Sequence, residues 1–292
     1  MTRALQPRPR LPPLSAGSKI AAIARAALLD ELNTWPKPGL VSHIDQGSHS
    51  DMDAGTFEVS ADAITPFFGQ LFEAGAAGAD MSELRQIGVE AETAMLAATS
   101  GINTHRGAIF GLGLLCAAAG ALWSTEPCLK AKALGETVQR RWGDSILRGP
   151  IPLRSHGVDA WRRFGAGGAR AQAASGFPYA LEVGLPALRR ARLHSPHDAE
   201  AARAEAFFAL LAVMEDTNLL HRGGREGLSF AQDAARAFLS DGGVARSAWR
   251  ARASTIHDDF IVRRLSPGGC ADLLAVSLFL EAVEDADLEP LQ

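Results

Sequence analysis

Residues 99–120 constrain the fold of this chain more than any other stretch, because a polar segment leads directly into a long apolar run. The polar segment contains Asn103 and Thr104, whose short side chains can cap a helix that starts at about His105. The apolar run, AIFGLGLLCAAAG, leaves that helix without a polar face, so we expect it to be buried on all sides. The rest of the fold is therefore expected to pack around it.

The first turn and the glycines of this helix indicate close contacts with other groups. Glycine costs roughly 1 kcal/mol of helix propensity relative to alanine, so Gly107, Gly111 and Gly113 predict that another backbone or a ligand lies against the helix. Helix N termini favour negative charge, and His105 and Arg106 add side-chain charge at this one. The sequence therefore predicts an anion site here, with a capped core helix and a solvated first turn as the alternative.

Composition excludes several classes of protein. The chain has 292 residues, 47% of them apolar, and its net charge of −4 gives no basic field for nucleic acid. Its three cysteines form neither a disulfide framework nor a zinc motif, and the N-terminal stretch lacks the apolar run of a secretory signal. The helix of residues 107–123 is just long enough for a membrane, but its glycines favour a core helix. We expect a cytoplasmic protein that binds neither nucleic acid nor membrane.

Helical periodicity and abundant alanine, with few β-branched runs, predict an all-α protein. Residues 1–17, rich in proline and arginine, are expected to be a disordered tail, and residues 18–292 a single helical catalytic domain. Ser82 is the predicted cap of the third helix. The predicted helices cover residues 19–33, 57–74 with a bend at Pro66, 83–98, 107–123, 129–142, 200–220, 229–239, 244–257 and a last helix from 267.

Acidic residues at predicted helix ends are candidate metal ligands. Asp51 and Asp53 flank Met52, so an extended chain would point both carboxylates the same way, towards one metal ion. If a helix has already begun there, they diverge and Asp51 is only an N-cap. Asp216 and Asn218 follow an apolar helix, where a partly buried acid needs a partner or a metal. The alternative is an acid in water at a helix C terminus.

The sequence SPGG before the last helix resembles a phosphate-binding turn only weakly, and Asp272 just inside the helix would repel phosphate unless a cation lay between them. His43 and His49 lack zinc-ligand spacing. The candidate residues together are typical of a magnesium–polyphosphate site on a helical scaffold. They are the acids Asp51, Asp53, Glu92, Asp216 and Asp272 and the bases Lys37, His105, Arg106 and Arg222.

Six ordered stretches between residue 34 and about residue 280 resemble the triphosphoribosyl-dephospho-CoA synthase family: TWPKPGLVS, GSHSDMD, ETAMLAATSGINTHRG, GARAQAASGFP, DTNLLHRGG and LSPGGCADLLA. The chain departs from the family pattern at Arg106, where lysine is frequent, and at Cys270, where serine is usual. The resemblance implies that the 2′-hydroxyl of 3′-dephospho-CoA attacks C1′ of the ATP ribose. Adenine leaves, and the product is 2′-(5″-triphosphoribosyl)-3′-dephospho-CoA.

The resemblance also implies roles for the candidate residues. The catalytic set is Asp51, Asp216, Asp272 and Glu92, and the Mg²⁺ ligands are Asp51, Asp53, Asp216 and Asp272. The substrate-binding set is Lys37, His49, Asn103, His105, Arg106, Asn218, Arg222, Gly268 and Gly269.

The family supplies the prosthetic-group precursor of citrate lyase and malonate decarboxylase, and we favour the second pathway. The implied partners are a downstream transferase and the acyl-carrier subunit of the decarboxylase, and a homo-oligomer is compatible with the sequence. A magnesium-dependent nucleotide N-glycoside hydrolase would use the same acids. The third alternative is a non-catalytic helical interaction protein, whose acids would be scattered over the surface.

Overall fold

The computed structural model describes residues 15–125, 128–150 and 163–286, and within these ranges it contains eleven α-helices and no β-strand. The predicted all-α fold is confirmed. The helices are α1 (Ala16–Leu32), α2 (Ala54–Ala76), α3 (Met81–Ala98), α4 (Arg106–Trp123), α5 (Ala131–Arg148), α6 (Gly168–Ala174), α7 (Leu185–His194), α8 (Ala199–Val213), α9 (Thr217–Ser240), α10 (Trp249–Val262) and α11 (Gly268–Asp285). A π-helical turn, Ala180–Gly184, leads into α7, and a 3₁₀ turn, Gly243–Ala245, precedes α10.

Helix α4 lies at the centre, packed against α1, α2, α3, α5 and α11. Its length and composition would let it cross a membrane, but 72% of it is buried inside the protein. Its glycines allow α2 to approach closely, because a Cβ on Gly120 would lie 1.8 Å from the carbonyl oxygen of Phe72. In return, a Cβ on Gly75 would lie 1.9 Å from the carbonyl oxygen of Ala117. The predicted buried central helix is confirmed. The close backbone contact falls at Gly120, whereas Gly107, Gly111 and Gly113 meet side chains.

The predicted helix of residues 200–220 is wrong, because the chain breaks before Asp216 and begins a new helix there. Asp216 is the N-cap of α9, and its Oδ1 accepts hydrogen bonds from the main-chain N–H groups of Asn218 at 2.8 Å and Leu219 at 3.1 Å. Helix α9 then continues to Ser240 through a kink at Gly224, where φ is 62°. Asp216 therefore starts a helix, whereas the sequence pattern had placed it at the end of one.

Other helix boundaries differ by a few residues. Asp80, not Ser82, caps α3, because its carboxylate accepts the N–H groups of Ser82 and Glu83. Helix α10 begins at Trp249, five residues later than predicted. Of the predicted N-terminal tail, residues 1–14 lie outside the described residues, while Ser15 caps α1 and so belongs to the domain.

Candidate active site

The N-terminal parts of α2, α4, α9 and α11 meet, and side chains join these helices in pairs. Ser60 of α2 lies with its Oγ 2.7 Å from Nδ1 of His105, the N-cap of α4. Asp272 of α11 accepts the N–H of Ala108 in α4. Asp216 of α9 accepts the N–H of Cys270 in α11 through Oδ2, at 2.8 Å. Helix N termini carry partial positive charge, so their convergence favours an anionic ligand at this place.

Glu31 and Lys37 form an ion pair beneath these helix ends, and Glu31 was not among the residues predicted from the sequence. Lys37 is 1% exposed and Glu31 is 5% exposed. The Lys37 ammonium pairs with the Glu31 carboxylate and also donates to its main-chain oxygen at 2.8 Å. Burial lowers the pKa of Lys37, and the charge of Glu31 opposes that change. Its helical spacing from Ile20, Ala24 and Ala27 places Glu31 on the buried stripe of α1, and this spacing could have identified it from the sequence.

The carboxylates in this region outnumber the buried ammonium. Burial raises the pKa of Asp272 well above its usual value, and the negative charges of Glu31 and Asp216 add to the effect. Burial also raises the pKa of Asp216, against the opposing effect of its three main-chain N–H bonds. Of these three acids, Glu31 is the one that pairs with Lys37. Charges buried without a counterion are costly, so this arrangement is suited to a bound proton or cation.

Gly107 leaves room for the Asp272 carboxylate at the start of α4. A Cβ on Gly107 would lie 1.9 Å from Oδ2 of Asp272 and 2.8 Å from its Cγ, both shorter than any van der Waals contact. The sequence predicted a backbone or a ligand against this glycine, whereas the contacting group is the Asp272 side chain. The place where the sequence predicted an anion site thus has an acid inside it, at the first turn of the central helix.

His105 does not supply the positive charge predicted for it from the sequence. Burial, with a contribution from the charge of Lys37, lowers the pKa of His105 to about 3, so the imidazole is neutral at pH 7. The Phe57 ring packs edge-on against it with centroids 5.0 Å apart, and Thr104 donates a 2.6 Å hydrogen bond to the Ser60 hydroxyl that contacts its Nδ1. His105 is a buried hydrogen-bonding residue that joins α2 to α4.

Arg106 is the cation that this corner presents to solvent. Its Nε donates to Oε2 of Glu92 at 2.9 Å, and both side chains are partly exposed. The main-chain N–H of Arg106 donates to Oδ1 of Asn103 at 3.2 Å, so Asn103 satisfies one N–H of the first turn, as predicted. Glu92, predicted as a catalytic acid, is thus the ion-pair partner of Arg106 at the rim.

The loop of residues 48–53 meets the start of α9 and the segment before α11. His49 lies with Nε2 2.8 Å from the Ser266 hydroxyl, while Nδ1 is 3.4 Å from Arg222 and 3.7 Å from Asp51. Arg222 also donates to the main-chain oxygen of Arg264 at 3.2 Å. Burial lowers the pKa of His49, and the charge of Arg222 acts in the same direction. Three of the quoted motifs are therefore contiguous in space.

Asp51 and Asp53 differ in their surroundings. Asp53 is the N-cap of α2, and its Oδ1 accepts bonds from the main-chain N–H and the hydroxyl of Thr56 at 2.9 and 2.8 Å. Those bonds lower the pKa of Asp53. Asp51 is exposed beside His49 and is not the cap. In the part of the chain that the structure describes, no three His, Cys, Asp or Glu side chains are arranged to hold one metal ion. The four-acid magnesium site stays a prediction.

The glycines of the SPGG turn let α9 and α11 approach each other. A Cβ on Gly268 would lie 2.7 Å from Nδ2 of Asn218, and one on Gly269 would lie 3.0 Å from Oδ2 of Asp216.

The motif GARAQ has a different structural role. Arg170 donates to four main-chain oxygens at the C-terminal end of α5, those of Ile146, Leu147, Gly149 and Pro150.

Titratable groups gathered beneath converging helix ends, with strongly shifted pKa values, are typical of an active site. The scattered surface acids that a helical interaction protein would have are not what the structure shows for Glu31, Asp216 and Asp272. The fold and the site together define an all-α enzyme that acts on an anionic substrate.

Comparison with known proteins gives the family. The CitG family model, described as ATP:dephospho-CoA triphosphoribosyl transferase, matches residues 17–290. The chain is similar to proteins named "Probable 2-(5''-triphosphoribosyl)-3'-dephosphocoenzyme-A synthase". It is 38% identical to that of Acinetobacter calcoaceticus, with 91% of each chain covered, and 40% identical to that of Pseudomonas fluorescens strain Pf-5, with 94% and 95% covered. No solved structure gives a significant match.

The chain therefore belongs to the ATP:dephospho-CoA triphosphoribosyl transferase family. This result confirms the resemblance carried by the six sequence stretches and identifies the chain as a transferase. It also removes the non-catalytic interaction protein from the alternatives.

Proposed function

We propose that this enzyme transfers the triphosphoribosyl group of ATP to the 2′-hydroxyl of 3′-dephospho-CoA and releases adenine. Family membership and the names of the relatives support the two substrates. The observation that carries the chemical part of the proposal is the Asp272 carboxylate beside Gly107, among the first turns of α4, α9 and α11. A glycosyl transfer needs a carboxyl group there, next to a site for the donor's phosphates.

Two proton transfers accompany the reaction. One group must accept the proton of the 2′-hydroxyl, and another must protonate adenine as positive charge builds on the ribose; each transfer contributes about 10²- to 10⁴-fold. Burial raises the pKa of Asp272, which favours the protonated form of this carboxyl and suits it to a proton-transfer role. Both oxygens of Asp216 already accept main-chain N–H bonds, which favours a positioning role for that acid.

The triphosphate is expected at the helix ends, with Arg106 and Arg222 at its rim. Mg²⁺ is commonly held by one or two carboxylates together with substrate phosphates, so a complete protein cage is not required. The chemistry of the side chains fits this mode, since Asp51 is exposed and Asp53 uses only one oxygen in its cap. When bound, the ion would neutralise and orient the triphosphate.

Replacing Arg106 with alanine is expected to raise the KM for ATP by about tenfold, because one charged contact to phosphate is lost. The change in unfolding free energy should stay within about 0.5 kcal/mol, since the ion pair with Glu92 is partly exposed. Arg106→Lys keeps the charge and should have a mild effect. Steady-state kinetics at varied ATP, with thermal melts, measure both quantities, and an unchanged KM and rate would refute this contact.

The proposed reaction predicts coupling to dephospho-CoA and strong discrimination against CoA. CoA carries a 3′-phosphate of about −1.5 to −2 charge beside the nucleophile, where it would crowd the 2′-hydroxyl and repel the donor's phosphates. The test incubates the protein and Mg-ATP with dephospho-CoA, with CoA and with no acceptor, and follows free adenine and coupled product by mass spectrometry. Equal coupling to CoA contradicts the prediction. Adenine release at the same rate without acceptor would favour the N-glycoside hydrolase.

The biological setting also belongs to the proposal. We infer a cytoplasmic enzyme that supplies malonate decarboxylase rather than citrate lyase, with the decarboxylase's downstream transferase and acyl-carrier subunit as partners. The resemblance of the sequence stretches supports the prosthetic-group pathway. The choice of decarboxylase and the oligomeric state stay predictions. Assay of the product with each acyl-carrier subunit tests the choice of decarboxylase.

A further inference from the structure

Two arginines on the surface lie over one aromatic ring near the start of α9. The Arg163 guanidinium is 5.5 Å from the Phe164 ring centroid, and that of Arg225 is 5.7 Å from the same centroid. Stacking of this kind uses the flat face of a guanidinium and leaves its in-plane N–H groups able to bind an anion. Phe164 thus holds two sets of charged donors in one place.

Neither arginine has an anionic partner among the residues that the structure describes. Both are exposed, and no carboxylate in the described ranges lies within ion-pair distance of either. Most arginines elsewhere on the described surface are paired, as Arg192 is with Glu281 at 2.8 Å and Arg250 is with Asp198 at the same distance. Two cations beside one ring that have no counterion within the described ranges repel each other, so an anion between them would be stabilising.

The ring that holds them has a fixed position relative to the active site. Phe164 packs against a small apolar cluster of Ala166 and Leu220, which joins this segment to α9. Four residues further on, Gly168 approaches Thr217 so closely that a Cβ there would lie 3.1 Å from its Cγ2. Thr217 directly follows Asp216. Seven helical steps from Thr217 to Gly224 rise by about 10 Å, and Arg225 follows directly after the kink at Gly224. Arg225 therefore lies within about 15 Å of the start of α9.

We propose that Arg163, Phe164 and Arg225 form the binding site for the diphosphate of the acceptor nucleotide. The proposal rests on the proposed function, which requires two phosphorylated substrates in one site. The helix N termini suit the donor's triphosphate, and the arginine pair offers a separate place for a second polyanion. A diphosphate diester carries two negative charges and matches the two guanidinium groups in charge and in donor geometry.

The test measures affinity for dephospho-CoA and for ATP separately. Arg163→Ala and Arg225→Ala should each raise the dissociation constant for dephospho-CoA by about 10- to 100-fold, with little change for ATP. Phe164→Leu keeps the apolar cluster but removes the ring, and should raise the dissociation constant for dephospho-CoA by about two- to fivefold. The wild-type affinity should fall with added salt more steeply than that of the Arg163→Ala/Arg225→Ala double variant.

Arg192→Ala is the matched control, because it removes the same charge from an arginine that already has a carboxylate partner. Equal weakening by the control, or equal weakening for ATP and dephospho-CoA, would overturn the acceptor site. Unchanged affinity in both arginine variants would do the same. If the wild-type protein binds dephospho-CoA but makes no coupled product, the proposed function fails, and the binding comparison still decides this inference.

Discussion

Gly107→Ala is expected to reduce turnover by about 100-fold or more while the protein stays folded. The new methyl group would occupy the position of the Asp272 carboxylate, which lies 1.9 Å from the ideal Cβ. The carboxylate can rotate away, so the protein should lose the hydrogen bond to the Ala108 N–H, worth about 1 kcal/mol, and regain a similar amount from helix propensity. The loss should therefore appear in kcat, as expected when an acid–base group is displaced.

Gly88→Ala is the matched control for this experiment. Gly88 lies within α3, and a Cβ there meets no atom within 4 Å. The control should keep full activity and become more stable by up to about 1 kcal/mol. Single-turnover rates and urea unfolding of both variants measure the two effects. Full activity in Gly107→Ala would show that the position of the Asp272 carboxylate does not matter for the reaction.

Lys37→Met is expected to destabilise the protein by about 3–5 kcal/mol, because it leaves the Glu31 carboxylate buried without its partner. Adding Glu31→Gln should recover most of that loss, since the double variant buries no unpaired charge. Urea denaturation of the two single variants and the double variant completes a double-mutant cycle for the pair. A coupling free energy close to zero would contradict the buried ion pair.

Asp30→Asn provides the control for the neighbouring position. Asp30 precedes Glu31 on α1 but is exposed, and its ion pair with Arg203 at 3.5 Å is weak. The change should cost less than about 1 kcal/mol. If Asp30→Asn and Lys37→Met destabilised the protein equally, burial of the Lys37 ammonium would not be the cause of the effect.

The parts of the fold that depend on local pattern could be predicted from the sequence. A wholly apolar run required a buried helix, and α4 is buried; a short amide three residues before Arg106 indicated a cap, and Asn103 accepts that N–H bond. Glycine in a helix indicated close contacts, which Gly107 and Gly120 make. Each of these inferences needed only neighbouring residues.

The parts that depend on distant partners could not be predicted. The apolar pattern continues through the break before Asp216, and what stabilises that carboxylate includes the N–H of Cys270, 54 residues away. His105 had the sequence context of a surface cation, yet Ser60, 45 residues earlier, helps to bury it as a neutral ring. Glu31 had no motif around it, and only its place on the buried stripe of α1 could have identified it.

The double engagement of Asp216 has a mechanical consequence. The Asp216 carboxylate accepts hydrogen bonds from the N termini of two helices. Its Oδ1 accepts from α9 and its Oδ2 from α11. Because both oxygens belong to one short side chain, a displacement of either helix end would strain the hydrogen bonds to the other. Helix α9 carries Arg222 and Arg225, whereas α11 carries Asp272. If the two substrates bind as proposed, a movement of α9 on acceptor binding would reach the Asp272 carboxylate on α11. Asp216 would couple the two helices.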